Sequence, residues 1–423
     1  MGEVHLGDDR LEEIAHQSLL LGRLLLANGA ETGEVHLAVT RFAAAFGCEA
    51  HLLVTYEMLL LTLVRDGRFE TKAGRHLPGM SVNMGAIGAL NRILEEVSDH
   101  RLGPTEAGMR LAAIELPQAA YPRWLVAAGM GMTAACLARL FGGDWATLGI
   151  VLVAGLAGTF LRLELGRRHV NAFLTAFLGA AASGVLGGLG VRFGGTMTPA
   201  LCLIAPGMII VPGVPLINGV WDCIRNHMSL GLARLGFAVL TVAAISLGLS
   251  VAALVTGSSI PVDSPTRLLS VPEDALFSAL AAIGFVLLFN IPARLWWACV
   301  LGGLCSHTLR TAAMHMGIDV ATGTLLGAAA AGCIALGLAR RLDVPPAALA
   351  YPGVVAMVPG SYAFRAVIGL LQLLKLGAAA PPALVAETTS LAVASVALMA
   401  AISIGLAAPL ALTGTGRNAA GPS

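Results

Sequence analysis

The stretch APGMIIVPGVPLINGVWD, residues 205–222, decides how the rest of the chain is interpreted. It is apolar enough to enter a membrane, yet it contains three prolines and three glycines. An interior proline removes a backbone donor and clashes with the carbonyl group four residues earlier. We therefore expect Pro206, Pro212 and Pro215 to interrupt a membrane helix here, with Gly213 among the glycines that let the chain turn.

A second stretch, near the other end of the chain, repeats this pattern. Residues 351–365 read YPGVVAMVPGSYAFR, with two Pro-Gly pairs again and one extra residue between them. Two interrupted apolar segments at corresponding positions of two halves are typical of a transporter binding site. We therefore predict that Pro212, Gly213, Pro359 and Gly360 line a substrate site.

Composition places the chain in a membrane. Hydrophobic residues make up 57% and charged residues 12%, whereas soluble domains have about 25% charged residues. The sequence thus predicts a polytopic α-helical membrane protein surrounded by lipid, with homo-oligomerisation left open. The net charge of +1 and the absence of nucleotide-binding or zinc-binding spacings argue against nucleic acid, cofactor and metal partners.

The sequence also disfavours an enzyme. His227, His307 and His315 are far apart or on different sides in the predicted topology, so no catalytic cluster of His, Asp and Ser is expected. The seven cysteines are scattered without a pairing pattern, which argues against a disulfide framework. No catalytic residue is therefore predicted.

The first 120 residues are more polar than the rest and predict a soluble α+β domain. Asp66-Gly67 separates two runs rich in apolar and β-branched residues, as the turn of a β-hairpin would. Helical periodicity or capping signals predict four helices. They span approximately Leu11–Asn28, Glu31–Phe46, Asn83–His100 and Thr105–Leu116.

The remaining chain contains ten apolar windows of about 20 residues, each long enough to cross a membrane. Five lie in a first half, residues 121–256, and five in a second half, residues 275–410, with a polar linker at 257–274 and a disordered tail at 411–423. Two halves with an odd number of spans and a shared fold must have opposite orientations, so the fold class predicted is an inverted repeat of two five-helix units.

The basic residues of short loops predict the orientation, because they favour the cytoplasm. Arginines lie mostly at the ends that face the cytoplasm if the N-terminal domain does so. The N-terminal α+β domain and the C-terminal tail are thus expected inside the cell, and the linker outside.

Several motifs in order resemble the threonine/serine exporter family. They are LLLGRLLLANGAETGEVHLAVTRFAAAFGCEA at 19–50, FGGD at 141–144, VPGVPLINGVWD at 211–222, FNIPAR at 289–294 and YPGVVAMVPGSYAF at 351–364. The resemblance covers nearly the whole chain and implies export of small hydroxy amino acids across a bacterial inner membrane, driven by the proton motive force. Some relatives with separate halves resemble dicarboxylate (succinate) exporters, so that cargo is the alternative. A channel lined by the same interrupted segments is a second alternative.

A substrate carboxylate fits the chemistry of both interrupted segments. Pro215 is expected to begin one half-helix, and Ser361 to cap the start of the other, with Tyr362 beside it. Free amides and the helix dipole favour an anion at such ends. Asn218 and Arg365 both follow the glycine of a VPG by five residues. Asn218 either binds substrate or bonds between helices, and Arg365 either binds an anion or reaches the membrane surface.

The other polar residues at membrane depth are candidates for coupling and gating. Glu387 is a carboxylate followed by a long apolar run, so it is a candidate proton carrier, the alternative being an exposed first-turn carboxylate. Asp222 and Arg225, three residues apart, predict either an ion pair at the membrane boundary or a gate. The remaining polar residues predicted within the membrane are Asn171, Asn290 and Arg294.

Overall fold

The N-terminal part of the chain combines helices with one small sheet. The computed structural model describes residues 2–75, 82–115, 120–262, 267–342 and 344–412, so the predicted tail lies outside it from residue 413 onward. The elements of the N-terminal part, in chain order, are α1 (Gly2–Ala27), α2 (Thr32–Ala45), β1 (Glu49–Val54), β2 (Met58–Arg65), β3 (Arg68–Arg75), α3 (Met84–Ser98) and α4 (Pro104–Glu115).

The hairpin predicted at Asp66-Gly67 is confirmed. Asp66 and Gly67 have φ values of 50° and 75°, as both central positions of a type I′ turn require. Arg65 pairs with Arg68 across the turn. The sheet is antiparallel with the order β1-β2-β3, and the residues of β2 alternate between buried and more exposed positions. The helix α1 packs on β2 and β3.

Long apolar helices form the rest of the described structure. Seven of them are long and apolar enough to cross a membrane, and α8 and α9 make an eighth if they count as one bent span. The protein is therefore a polytopic helical membrane protein. The helices are α5 (Arg123–Leu140), α6 (Trp145–Arg167), α7 (Ala172–Gly194), α8 (Pro199–Met208), α9 (Gly213–Ile224), α10 (Met228–Thr256), α11 (Val271–Leu288), α12 (Trp296–His315), α13 (Val320–Leu342), α14 (Pro346–Val354), α15 (Gly360–Leu376) and α16 (Pro382–Leu412).

Both VPG sequences form the same turn. The amide of Gly213 donates to the carbonyl of Val211 at 2.9 Å, and Pro212 between them has φ −78° and ψ 72°. These values are those of an inverse γ-turn, and α8 and α9 meet there at 58°. In the second VPG the glycine amide lies 2.7 Å from the valine carbonyl, and Pro359 has φ −75° and ψ 46°.

The turns correct two predicted helix starts and one predicted break. Gly213, not Pro215, begins α9. Pro359 occupies the position before α15, which makes Ser361 the second residue of that helix instead of its cap. In both cases the γ-turn lets the glycine after the proline enter the helix directly. Pro206 lies inside α8 and does not interrupt it.

Prolines inside these short helices are tolerated because neighbouring helices approach the backbone closely. A proline frees the carbonyl group four residues earlier, and a membrane protein must satisfy that group locally. For Pro352, inside α14, the freed carbonyl is that of Ala348, and the thiol of Cys299 donates to it at 3.7 Å.

The two groups of membrane helices pack in the same pattern. In the first, α5 packs on α6, α7 on α10 and α9 on α10; in the second, α11 packs on α12, α13 on α16 and α15 on α16. Matching glycines allow the closest contacts. A Cβ on Gly248 in α10 would lie 2.4 Å from the carbonyl oxygen of Phe177 in α7, and one on Gly405 in α16 would lie 2.6 Å from that of Leu325 in α13.

Candidate functional site

The two VPG turns face each other inside the helix bundle. A Cβ on Gly213 would lie 3.2 Å from Cγ2 of Val358, and a Cβ on Gly360 would lie 2.8 Å from Cγ2 of Val211. Each glycine thus packs against the valine of the opposite turn. Neither Gly213 nor Gly360 has a positive φ. Close packing, not backbone conformation, is therefore the reason that a glycine is needed at each position.

Asn218 lies one and a half turns into α9 and is 2% exposed. Its Nδ2 donates to the carbonyl of Gly29 at 2.9 Å, and its Oδ1 accepts a hydrogen bond from the hydroxyl of Tyr351 in α14. Asn218 therefore joins α9 both to α14 and to the N-terminal part of the chain. The sequence analysis did not single out Tyr351, although it begins the second interrupted segment.

Arg365 is the corresponding residue of α15 and is 5% exposed. Its guanidinium donates to the carbonyl of Val262 in the linker between the two halves. Gln372, two turns later, donates to the carbonyl of Ile260 at 3.3 Å. The half-buried Tyr362 packs on a small apolar cluster that contains Val262. Arg365 thus contacts the linker segment (residues 260–262), a different part of the chain from the segment that Asn218 contacts.

The loop that joins α1 to α2, residues 28–32, is held against α9 and α10 by several polar contacts. Arg234 in α10 is 3% exposed; it donates to Oδ2 of Asp222 at 2.6 Å and to the carbonyl of Ala30 at 2.7 Å. The amide of Thr32 donates to Oδ1 of Asp222 at 3.2 Å. We call residues 28–32 the α1–α2 loop. Its contacts enclose the end of α9.

The ion pair predicted between Asp222 and Arg225 is wrong. Asp222 pairs with Arg234, and Arg225 pairs with Glu31 of the α1–α2 loop. Arg225 follows the last residue of α9 and lies over the ring of Trp221, 5.4 Å from its centroid. From that position its guanidinium extends toward the loop, so both residues tie α9 to the N-terminal part of the chain instead of to each other.

Acidic residues of this contact region have raised pKa values. Burial raises the pKa of Glu31, and the nearby guanidinium of Arg225 offsets part of that effect. Burial also raises the pKa of Glu34 to about 7, with a further contribution from the charge of Glu31. Asn91 opposes this shift by donating to Oε1 of Glu34 at 3.2 Å. Glu34 therefore changes charge near neutral pH.

The remaining predicted polar residues have local roles in the structure. Asn171 caps α7 by accepting from the amides of Phe173 and Leu174. Asn290 has φ 57° and contacts Asn83, whose Oδ1 lies 3.0 Å from its Nδ2. Arg294 is exposed in a short 3₁₀ turn before α12, and Glu387 is half-buried in the second turn of α16. These four residues are not brought together with the VPG turns by any contact that we observe among the described residues.

Sequence reasoning missed a buried acid–histidine pair between α11 and α12. Nδ1 of His307 lies 2.9 Å from each carboxylate oxygen of Asp274, and the hydroxyl of Thr311 donates to Oδ2 of Asp274 at 2.8 Å. The sequence analysis considered His307 only with His227 and His315, which are far apart or on different predicted sides and therefore predict no catalytic cluster. Asp274 precedes it by 33 residues at the end of a stretch interpreted as linker. No group of three or more His, Cys, Asp or Glu residues suited to a metal ion occurs in the described ranges.

Two protein-family models match the chain. One, described as "Putative threonine/serine exporter", matches residues 16–256. The other, described as "Threonine/Serine exporter, ThrE", matches residues 274–412. Together they cover the N-terminal part and both groups of membrane helices.

Curated relatives include proteins named for two kinds of cargo. "Probable succinate transporter subunit YjjP" of Escherichia coli is 30% identical over 241 residues, which is 56% of this chain and 92% of that protein. "Probable threonine/serine exporter" of Mycobacterium tuberculosis is 26% identical over 402 residues, which is 88% of this chain and 75% of that protein. No solved structure matches the chain.

Proposed function

Because the chain belongs to the threonine/serine exporter family, we propose that it is a secondary transporter that exports small hydroxy amino acids, threonine and serine, across the bacterial inner membrane. The proton motive force drives the export. The observation that supports this function best is the contact between the two VPG turns, because it joins two interrupted helices from the two halves at one point, as in transporters built from repeats.

The proposed architecture has ten spans in two inverted halves. It counts α8 with α9 and α14 with α15 as single interrupted spans, and it includes α5 and α12. The matching helix pairs and the matching contacts of Gly248 and Gly405 support a repeat. In this arrangement the N-terminal part, residues 1–120, is a cytoplasmic domain and the linker faces outward. The linker predicted at 257–274 ends earlier than expected, because α11 begins at Val271.

The contacts at the helix ends agree with that orientation. Residues of the N-terminal part bind α9 and the end of α11, where the amide of Met84 donates to the carbonyl of Phe289 at 2.9 Å. All these helix ends are cytoplasmic in the proposed topology. The linker segment binds α15, and His315 at the end of α12 lies 2.8 Å from the carbonyl oxygen of Leu269. Those ends face outward in the same scheme.

The substrate binds, in this proposal, between the two turns. The amides of Gly213 and Gly360 close the two turns, and the first amides bonded along the helices are those of Leu216 and Ala363. The amides between them, those of Val214, Ser361 and Tyr362, lie at helix starts, which favour a carboxylate. Ser361, which is 3% exposed, places a hydroxyl in the first turn of α15 that suits the hydroxyl or amino group of the cargo. Asn218 and Arg365 become available when the segments that they now bind move away.

Those two segments act as gates. The α1–α2 loop encloses Asn218, Asp222 and Arg225 on the proposed cytoplasmic side, and the linker segment covers Arg365 on the other. With both in place the path is closed on both sides, and release of one at a time gives alternating access. A channel is the weaker alternative, because each turn packs its glycine against the valine of the other turn at the point where a pore would need open space.

A dicarboxylate such as succinate is the alternative cargo. The observation that favours it is the 30% identity to the Escherichia coli protein named as a succinate transporter subunit, of which the alignment covers 92%. The buried guanidinium of Arg365 suits one of the two carboxylates of such a cargo once the linker segment has moved away.

Proteoliposomes that contain the purified protein test this function. Vesicles loaded with labelled threonine, serine or succinate are followed with and without an imposed pH gradient. We expect movement of threonine and serine that responds to the gradient. Transport of succinate but not of threonine or serine would show that a dicarboxylate is the cargo. Equal fluxes of all three solutes without any response to the gradient would support a channel.

A further inference from the structure

Asp274 and His307 form a polar site enclosed by apolar helices. Asp274, in the first turn of α11, is 3% exposed, and His307, in the middle of α12, is 7% exposed. Nδ1 of the imidazole lies 2.9 Å from both carboxylate oxygens. Thr311 is 2% exposed and donates to the same carboxylate. Two buried polar side chains of α12 thus contact the buried carboxylate of Asp274 in α11.

The chemistry of this pair differs from that of the buried ion pair between Asp222 and Arg234. Asp222 faces Arg234, and a guanidinium stays protonated at any physiological pH. Asp274 faces an imidazole, which gains or loses a proton in the physiological range. The Asp274–His307 pair carries one negative charge when the imidazole is neutral and no net charge when the imidazole holds a second proton.

Charged and titratable groups on several surrounding helices lie near this pair, and the charge of Arg310 in α12 interacts with that of Asp274. Glu273 is neutralised by Arg139 of α5, which donates to it from Nε at 2.7 Å. His315 in the last turn of α12 contacts the carbonyl of Leu269. The other such groups at this end of the packed helices are Arg310 in α12, Asp319 at the start of α13 and Tyr362 in α15, while Tyr351 in α14 is bonded to Asn218.

The helix that contains His307 is also packed on the segment that leads to the second VPG turn. The hydroxyl of Ser306 donates to the carbonyl of Gly353 in α14 at 2.7 Å. A Cβ on Gly353 would lie 3.0 Å from the carbonyl carbon of Gly302 in α12. From Gly353 the chain reaches Gly360 in seven residues. A charge change that shifts α12 against α11 is therefore transmitted to the turn.

The corresponding helices of the first half contain no such pair. Residues 124–138 of α5 and 145–161 of α6 include no histidine and no acidic residue. Two halves with the same packing pattern thus differ at this point, so the fold alone does not require the Asp274–His307 pair.

We propose that Asp274 and His307 are the proton-binding site of the transporter, with Thr311 as a positioning residue for the carboxylate. This inference rests on the proposed function of proton-driven export. One proton binds to the pair from the outer side and leaves to the cytoplasm in each cycle, while one substrate molecule moves outward. The pair is separate from Glu387 in α16, the proton carrier considered from the sequence.

The test compares Asp274→Asn, His307→Gln and Thr311→Val with wild type in proteoliposomes. Two fluxes are measured: exchange of labelled for unlabelled threonine, and accumulation of threonine driven by an imposed pH gradient. One proton per substrate supports about tenfold accumulation per pH unit. Both Asp274→Asn and His307→Gln should lose this accumulation and keep exchange. Thr311→Val should shift the pH dependence of the accumulation.

A matched control and two contrary outcomes make the test decisive. Ser278→Ala removes a buried hydroxyl that donates to the carbonyl of Ala275 within α11, and it should keep both fluxes. If Asp274→Asn loses exchange as well as accumulation, that variant does not separate coupling from folding, and the result for His307→Gln decides whether the pair binds the proton. Full gradient-driven accumulation by His307→Gln overturns the inference and leaves the transport function standing. If the wild-type protein exchanges threonine but does not accumulate it under the imposed pH gradient, proton coupling itself is overturned.

Discussion

Asn218 and Arg365 occupy the same position after the two VPG turns, and each donates a hydrogen bond to a backbone carbonyl of a segment outside the membrane helices. Asn218 bonds to Gly29 and Arg365 to Val262. The two side chains that the sequence proposed for substrate binding are therefore engaged by the chain itself. A backbone carbonyl is an acceptor like a carboxylate oxygen, so in the proposed mechanism a substrate carboxylate would compete with these segments for the same donors.

Loss of the contact between Arg225 and Glu31 should release the α1–α2 loop. The carboxylate of Glu31 is mostly buried, so Arg225→Gln leaves it without its ionic partner. We expect hydrogen–deuterium exchange of the amides at 28–32 to rise about fivefold, which corresponds to about 1 kcal/mol.

The control for the loop prediction is Arg110→Gln. Arg110 pairs with Glu96 and Glu106 on the exposed surface of the N-terminal part. Such exposed pairs contribute little, so exchange at 28–32 should stay at the wild-type rate. Equal exchange in both variants would show that the Arg225 contact does not hold the loop.

Docking of the same loop should weaken as the pH rises. The folded pKa of Glu34 is raised from 4.5 to about 7, so its protonated form is the one that the folded structure favours. Its contribution is complete below pH 4.5 and is lost as the pH rises through 7. Exchange at 28–32, corrected for the intrinsic pH effect, should therefore be faster at pH 8 than at pH 6.

Glu34→Gln supplies the comparison for this pH effect. A glutamine keeps the shape of the protonated acid and carries no charge at either pH, so the difference between pH 6 and pH 8 should shrink. An unchanged difference would assign the pH effect to another group, such as the stacked His36 and His227.

Local signals in the sequence were sufficient for the elements but not for the side-chain partners. Asp66-Gly67 specified a turn because only a few residues tolerate its dihedral angles, and each VPG specified a bend for the same kind of reason. Pro206 shows the limit of this reasoning, since it remains inside α8. Whether a proline ends a membrane helix depends on the neighbouring helices, which the local sequence does not contain.

The missed contacts join residues that are far apart in the sequence. Asn218 lies 189 residues from Gly29, and His307 lies 33 residues from Asp274. In a membrane helix both the lipid-facing and the protein-facing sides are apolar, so periodicity does not show which face a polar residue is on. The family resemblance identified the protein class without indicating these pairs.

The proposed topology predicts opposite locations for two fusion points. A reporter fused after Thr266, in the linker, should be periplasmic, and one fused after Arg341, near the end of α13, should be cytoplasmic. Alkaline phosphatase is active only outside the cytoplasm and a fluorescent protein mainly inside it, so the two fusions report complementary signals. Reporters that agree on one side for both points would exclude the inverted five-plus-five arrangement.

Glu387 makes a separate prediction for coupling. If this half-buried carboxylate in α16 accepts a proton, Glu387→Gln should keep the exchange of labelled for unlabelled threonine and lose accumulation against a gradient. The same vesicles and the same pH gradient serve for this variant. Accumulation at the wild-type level would remove Glu387 from the coupling mechanism and leave Asp274 and His307 as the remaining candidates.

Filling the space between the two VPG turns should abolish transport without preventing membrane insertion. Gly213→Leu and Gly360→Leu each introduce a side chain where the first added carbon already lies 3.2 Å or 2.8 Å from a valine of the opposite turn. Overpacking of this kind costs about 1–3 kcal/mol, and it separates the two turns that form the proposed substrate site. Exchange of labelled threonine should fall by more than about tenfold, since 1.4 kcal/mol corresponds to a factor of ten.

The matched control is Gly236→Leu, because Gly236 is an exposed residue of α10 with open space around it. Wild-type exchange by both turn variants, at equal protein content in the vesicles, would place the substrate path elsewhere in the bundle.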